Sequence, residues 1–302
     1  MLKVFIKYIS SFLIISISIY YLIAQISKNP QKILELMINL PLSILITTVS
    51  LSVIGGISSS YIWHIINKSL VPDTRFKVSY FAWSVSRLLR YIPGKAVGYF
   101  ARQKLQKSSL KHGIKSSINE LLLIFMAILL LSSIYFLVDF DKKYAGYLFL
   151  ISVIGYLLFL FSNPLVKQIE KLLSKLNINI ELSRLFYFPN QLFVQSILSL
   201  PSLLLHGFAF YLLLRFGFET QPLSFLYVVV TFYFSGIIGQ LSLIAPAGLG
   251  VREAALAFFM VNQGYSSEVA LSAAFGSRII LIVSELINIC ISSILRYVSS
   301  HD

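Results

Sequence analysis

Long apolar segments dominate the sequence and restrict the possible folds more than any other feature. Each is close to or longer than the ~20 residues that a helix needs to cross a hydrocarbon core ~30 Å thick. They cover residues 4–26, 40–62, 121–138, 144–161, 191–214, 222–245 and 268–295. Hydrophobic residues make up 57% of the chain and charged residues only 12%, a balance that soluble domains do not have. The sequence therefore predicts an all-α, polytopic transmembrane helix bundle in which residues 1–302 form a single domain.

Basic residues are unevenly distributed, and their positions predict the orientation of the chain. The formal net charge is +13, and a large share of the lysines and arginines lies between residues 68 and 115. Such clusters beside membrane spans mark the cytoplasmic side and attract anionic lipid. Nucleic acid is the other anion that a basic stretch can bind, but the flanking spans favour lipid, so we expect no nucleic-acid partner. Counting spans from a cytoplasmic N-terminus places this region and residues 163–189 in the cytoplasm, as expected for a multi-pass protein of the cell (inner) membrane.

The first apolar segment has two interpretations, a membrane span or a cleaved signal peptide. Lys3 and Lys7 precede its apolar run from about Phe12 to Ile26, as in a signal peptide, but no A-x-A-like cleavage site follows it. Tyr20 and Tyr21 suit the interfacial end of a span. We therefore expect an uncleaved first span.

Helix-breaking residues interrupt the apolar sequence after residue 245. Pro246 lacks a backbone donor, and Gly248 and Gly250 permit backbone conformations that other residues avoid. Arg252 and Glu253 then begin a new apolar segment. From residue 251 to 263 this segment would be only ~20 Å long as a helix, too short to cross the membrane. Residues 246–263 are therefore predicted to be re-entrant, entering the bilayer and returning to the same side.

A second interrupted segment covers residues 80–103, with Pro93 and Gly94 inside it. Aromatic and apolar residues alternate there with arginines at helical spacing, so the segment is too charged to span and too apolar for a free loop. It fits an interfacial or re-entrant pair of helices, and a surface amphipathic helix that only anchors to anionic lipid is the alternative. Because transporters often have interrupted segments at corresponding positions of two halves, the two breaks are also compatible with an inverted repeat.

Charged residues within or beside the apolar segments are candidates for a site, because a charge at the bilayer centre costs about 2.5–3.5 kcal/mol on insertion scales. They are Glu120, Arg252, Glu253, Arg278 and Glu285. Pairing of Arg252 with Glu285, or of Arg278 with Glu253, would reduce this cost. Two interpretations remain open: ion pairs that only fix helix register, or arginines that bind a phosphate headgroup while the glutamates orient them. Arginine suits phosphate because its planar fork donates two parallel hydrogen bonds.

Signatures of catalysis and of metal or cofactor binding are scarce in the sequence. It contains no P-loop, no H-E-x-x-H, no G-x-S-x-G and no dinucleotide fingerprint. Cys290 is the only cysteine, and the four histidines are not spaced as ligand pairs. We therefore expect no enzymatic activity, no metal site and no cofactor.

Two motifs resemble those of a known family. The first is Arg90-Tyr91-Ile92-Pro93-Gly94-Lys95, followed by Arg102, Gly113 and Glu120. The second is Pro246-Ala247-Gly248-Leu249-Gly250-Val251-Arg252-Glu253, followed by Gly264, Ala270 and Arg278. In this order, and over nearly the whole chain, they are similar to the lysylphosphatidylglycerol synthase transmembrane family, also called the flippase-like domain.

The resemblance implies an integral membrane protein of bacteria or archaea that handles lipids. Bifunctional members of the family flip aminoacylated phospholipid and add a soluble synthase domain. This chain has no such domain, so it resembles a stand-alone member, and we expect no aminoacyl transferase activity. Stand-alone members are often associated with cell-envelope glycan pathways.

The residues and the resemblance together lead to a hypothesis about function. We expect a flippase or translocator of an anionic headgroup lipid, either a polyprenyl-phosphate sugar or a phospholipid, in cell-envelope biogenesis. The headgroup-binding candidates are Arg87, Arg90, Lys95 and Arg102 at the cytoplasmic surface and Arg252 and Arg278 at the second break, with Glu120, Glu253 and Glu285 in support. The alternative is a non-catalytic membrane partner that anchors a glycosyltransferase of a cell-surface glycan pathway. An enzyme acting directly on lipid would need a catalytic constellation that the sequence lacks.

Overall fold

The computed structural model describes residues 20, 22–68, 71–91, 96–106, 108–139, 189–218, 220, 224–241 and 245–298. Within these ranges every regular element is a helix, so the predicted all-α class is confirmed for this part of the chain. In chain order the helices are α1 (Pro30–Ile38), α2 (Leu42–Lys68), α3 (Phe76–Leu89), α4 (Ala96–Gln106), α5 (Leu110–Asp139), α6 (Pro189–Leu212), α7 (Phe225–Leu241), α8 (Val251–Val261) and α9 (Ser267–Val298). A π-helical turn, Leu213–Gly217, continues α6, and a 3₁₀ turn, Pro246–Gly248, precedes α8.

Four of the described helices are long and apolar enough to cross a membrane, which makes this a multi-pass membrane protein. They fall on the predicted spans at 40–62, 121–138, 191–214 and 268–295, and their apolar stretches are Leu42–Lys68, Ser116–Tyr135, Val194–Gly217 and Ser267–Tyr297. The predicted span at 144–161 lies outside the described residues. Of the predicted span at 4–26, only residues 20 and 22–26 are described.

Of the predicted span at 222–245, the structure describes helix α7 and residue 224 at one end and residue 245 at the other. Helix α7 has 17 residues, which gives a length of about 26 Å at 1.5 Å per residue. It is an apolar helix, and the Pro246 break lies C-terminal to it. The chain then re-forms as α8, whose 11 residues extend only ~17 Å and cannot cross a hydrocarbon core of ~30 Å.

Helix α2 lies at the centre of the described bundle, where α3, α6 and α9 all pack against it. Small residues permit the close approach. A Cβ atom at Gly55 would lie 2.5 Å from the His206 ring of α6, and one at Gly56 would lie 2.5 Å from the Asn288 amide of α9. This is the packing that small residues promote between membrane helices.

Both interrupted segments form pairs of helices that pack against one another. Helix α3 contacts α4 across the first break, and Gly98 of α4 lies directly against the Ser86 carbonyl of α3. Helix α8 turns at residues 262–264 and packs back against α9. That these pairs enter the bilayer without crossing it stays a prediction, as do the inverted repeat, the single domain and the cytoplasmic N-terminus.

Candidate anion-binding site

The break between α7 and α8 is a sharply bent backbone. Ala247, Gly248 and Gly250 have φ angles of 49°, 68° and 80°, a region that favours glycine. A Cβ atom at Gly248 would lie 2.7 Å from the backbone of Gly239 in α7, so only glycine fits there. Ala247 is less suited than a glycine to its positive φ angle. The Arg278 side chain of α9 stabilises this conformation by donating from Nη2 to the Ala247 carbonyl at 3.0 Å. The break predicted from Pro246, Gly248 and Gly250 is therefore present.

Glu253 connects this turn to two arginines. Its Oε2 accepts a hydrogen bond from the Gly250 backbone N–H at 2.8 Å, which caps the start of α8. Its Oε1 lies 3.6 Å from Nη1 of Arg278 and 4.0 Å from Nη1 of Arg252. The expected pairing of Arg278 with Glu253 is thus found as an ion pair, and Arg252 lies at the 4.0 Å limit of the same carboxylate oxygen.

Glu285 pairs with a different arginine from the one expected. The sequence suggested Arg252, but Nη2 of Arg90 donates to Glu285 Oε1 at 2.5 Å. Sequence spacing could not indicate this contact because the partners are 195 residues apart. Tyr91 extends the junction, since the guanidinium carbons of Arg278 and Arg90 lie 5.0 Å and 5.3 Å from its ring centre. Arg90 and Tyr91, which precede Pro93, therefore contact side chains of α9.

Arg102 is buried inside the protein, whereas the sequence analysis placed it at the cytoplasmic surface. It is 5% exposed and donates from Nη1 to Glu120 Oε2 at 2.5 Å and from Nε to Ser86 Oγ at 2.8 Å. Its guanidinium carbon lies 4.0 Å from the Trp63 ring centre, a cation–π contact. Trp83 occupies the other Glu120 oxygen by donating from Nε1 at 3.0 Å. These contacts give Arg102 and Glu120 partners within the protein, and their part in headgroup binding stays a prediction.

Among the charged side chains at this site, Arg252 has the most buried polar atoms without a hydrogen-bond partner. It is 6% exposed, yet neither Nη1 nor Nη2 has a hydrogen-bond partner. Its guanidinium carbon lies 4.7 Å from the Phe232 ring centre. Burial is the main cause that lowers the pKa of Arg252, to about 10, so the side chain is still charged at neutral pH. A buried cation with two donors that lack acceptors is a site where an anion would be strongly stabilised.

Arg87 differs from the other four arginines at this site, which are Arg90, Arg102, Arg252 and Arg278, because each of those has a carboxylate within 4.0 Å. Its guanidinium carbon lies 4.8 Å from the Trp83 ring centre, and burial is the main cause that lowers its pKa. Among the described residues no carboxylate lies within 4.0 Å of it, although Glu120 and Glu285 act on it electrostatically. Arg87 lies on α3, three residues before Arg90, and the Tyr91 ring contacts both Arg90 and Arg278, so Arg87 is part of the same arginine cluster.

The structure brings together most of the candidates from the sequence. Pro93, Gly94 and Lys95 lie outside the described residues. The sequence analysis missed the aromatic side chains that contact the arginines or interact with them electrostatically, which are Trp63, Trp83, Tyr91, Phe232 and Tyr233. Tyr91 had a signal, because it lies between Arg90 and Pro93 in the first motif. The others had none, since aromatic residues are common throughout the apolar segments.

Within the described ranges, no group of three or more His, Cys, Asp or Glu residues could hold a metal ion.

Comparison with known proteins gives a match that covers most of the chain. The family model described as "Lysylphosphatidylglycerol synthase TM region" matches residues 8–287. No curated protein matches the chain. Both motifs, and both partners in each of the two ion pairs Arg90–Glu285 and Arg278–Glu253, lie inside the matched range. The chain therefore belongs to the family of the lysylphosphatidylglycerol synthase transmembrane region, as the motifs around Pro93 and Pro246 predicted.

Proposed function

We propose that this protein binds lipids with an anionic phosphate headgroup and moves them across the cell membrane. The observation that carries the proposal is the buried Arg252 side chain, whose two terminal nitrogens lack hydrogen-bond partners. Leaving buried donors without acceptors is costly, and a phosphate oxygen is a strong acceptor for a guanidinium fork. The backbone N–H groups at the start of α8 add a favourable potential for an anion.

The surface of α9 suits the apolar part of such a lipid. Ile279, Val283 and Leu286 are exposed in the same turns that carry Arg278 and Glu285. An apolar chain on these residues would leave the headgroup within reach of the arginine cluster. Phospholipids and polyprenyl-phosphate sugars both have this combination of apolar chain and phosphate, and both belong to cell-envelope biogenesis.

A transport assay in reconstituted vesicles tests the proposal. The parent protein should accelerate the transbilayer movement of a fluorescent anionic lipid over empty vesicles, and Arg252→Gln should reduce that rate about tenfold or more, because a charge-assisted hydrogen bond contributes about 1.5–3 kcal/mol. Arg296→Gln is the matched control, since Arg296 lies on α9 but contacts Phe81 and is exposed. Equal rates for parent, Arg252→Gln and empty vesicles would refute the proposal.

The anchoring alternative makes a different prediction. If the protein only holds a glycosyltransferase at the membrane, the basic surface around Lys104, which is exposed on α4, should matter more than the buried arginines. Lys104→Glu should then release a co-purifying enzyme while Arg252→Gln retains it. The opposite result favours lipid movement.

A further inference from the structure

The arginine cluster has an excess of positive charge. Its members are linked by ion pairs and electrostatic interactions. Within the described part of the chain, the cluster contains five arginines and three glutamates, which leaves two positive charges without a compensating acid. The arginines are Arg87, Arg90, Arg102, Arg252 and Arg278, and the glutamates are Glu120, Glu253 and Glu285.

The contacts show where the excess lies. Three arginines form ion pairs with glutamates, which are Arg102 with Glu120, Arg90 with Glu285, and Arg278 with Glu253. Glu253 is nearer to Arg278 than to Arg252. The remaining two are Arg87 and Arg252. Arg87 lies on α3, three residues before Arg90, and Arg90 and Arg278 both contact the Tyr91 ring. Arg278 and Arg252 in turn lie within 4.0 Å of the same Glu253 oxygen, so the uncompensated charges belong to one contiguous cluster.

A ligand with two negative charges would neutralise this region, whereas a ligand with one would leave a buried cation. Uncompensated buried charges are strongly disfavoured, so the number of charges on the ligand matters here more than it would at a surface. A phosphomonoester has a charge of about −1.5 to −2 at pH 7 and three terminal oxygens. Those oxygens can accept from guanidinium forks. A phosphodiester offers one charge and two terminal oxygens.

We infer that the site selects a lipid headgroup whose phosphate carries two negative charges, such as a terminal phosphomonoester, over a phosphodiester headgroup that carries one. This inference rests on the proposed function and narrows its substrate class to lipids with a terminal phosphomonoester, which excludes polyprenyl-phosphate sugars because their phosphate is a diester. Arg87 and Arg252 are the two residues whose positive charges the phosphate neutralises. Arg90, Arg102 and Arg278 are paired with glutamates and define the geometry of the site.

Intrinsic fluorescence gives a direct test. The chain has two tryptophans, and Trp63 and Trp83 both contact arginines of the cluster. The purified protein in detergent is titrated with short-chain phosphatidic acid, a phosphomonoester, and with short-chain phosphatidylglycerol, a phosphodiester. At pH 7.5 phosphatidic acid should bind about tenfold more tightly, since it adds a charge-assisted hydrogen bond. Equal affinities for the two lipids would overturn the inference.

The pH dependence of binding provides a second measurement on the unaltered protein. A phosphomonoester loses its second proton near pH 6. Its affinity should therefore rise between pH 5 and pH 7 and then level off, while that of phosphatidylglycerol should stay constant over the same range. Parallel curves for the two lipids would contradict selection by charge.

Competition with inorganic phosphate tests whether the site binds a lipid headgroup or a free phosphate ion. We expect inorganic phosphate to compete with phosphatidic acid only at a concentration far above that of the lipid, because it lacks the apolar chain. Equal potency would overturn the assignment to a lipid headgroup.

Variants separate this inference from the proposed function. Arg87→Gln and Arg252→Gln each remove one of the two charges, so each should reduce the preference for phosphatidic acid over phosphatidylglycerol to near one, while Arg296→Gln should leave it unchanged. If the parent binds both lipids equally but Arg252→Gln still abolishes lipid movement, the inference fails and the proposed function stands. If the parent neither binds nor moves any anionic lipid, the proposed function itself fails.

Discussion

Replacing Glu120 by glutamine should destabilise the protein because it removes the charge partner of a buried arginine. Arg102 is 5% exposed at its side chain and Glu120 is 16% exposed, with 2.5 Å between Nη1 and Oε2. Breaking a buried ion pair by removing one partner costs about 3–5 kcal/mol. Glutamine keeps one acceptor oxygen, which can still accept from Arg102 while its NH2 group faces Trp83, so we expect the lower end, about 3 kcal/mol.

The measurement is thermal unfolding in detergent. With ~2–4 °C per kcal/mol for a domain of this order of size, Glu120→Gln should lower the midpoint by roughly 6–12 °C. The double variant Arg102→Met with Glu120→Gln provides the matched control, because it removes the stranded charge as well. It should be more stable than Glu120→Gln alone, although it also loses the contact of Arg102 with Trp63.

Two results would refute this reasoning. If Glu120→Gln unfolds at the parent's temperature, the pair contributes nothing and Arg102 is not held by it. If the double variant is less stable than the parent by the sum of the effects of Glu120→Gln and Arg102→Met alone, the two residues are not coupled.

Three further predictions concern the break, the bundle and the site. Gly248→Ala should lower the unfolding midpoint, because its φ is 68° and a Cβ would meet backbone at 2.7 Å, whereas Gly236→Ala, with open space around it, should not; equal effects would contradict this account of the break. Tyr80→Phe should cost about 1–3 kcal/mol in unfolding free energy, since its hydroxyl donates to Asn288 Oδ1 at 2.6 Å in the interior; an unchanged midpoint would contradict this. Arg252→Lys keeps the charge but loses the fork, so its lipid-movement rate should fall between those of the parent and Arg252→Gln; a parent-like rate would show that charge alone suffices.

Features of the sequence that depend on local chemistry were predictable. The length and apolarity of a span follow from the bilayer itself, and four predicted spans coincide with long helices. The break at Pro246 follows from residues that cannot continue a helix. The pairing of Arg278 with Glu253 was also anticipated, since both charges lie in apolar segments that need partners.

Contacts between distant parts of the chain were not predictable. Arg90 joins Glu285 across most of the sequence, and no local pattern favours that partner over Arg252. Arg102 lies in a strongly basic stretch, which indicated a surface position, but the Glu120 carboxylate and the Trp63 ring provide an interior one. Phe232 belongs to an apolar helix rich in aromatic residues, and only the fold shows that the Arg252 guanidinium group lies over its ring.

The pair between Arg90 and Glu285 has a consequence for how the protein is made. The two residues are 195 positions apart, so at ~5–20 residues per second the ribosome needs roughly 10–40 s to synthesise the acid after the arginine. During that interval the guanidinium group must be accommodated by the insertion machinery, by headgroups or by water. The cluster is completed only when the last helix enters the membrane, and a nascent chain that stops before residue 285 would be a natural substrate for membrane quality control.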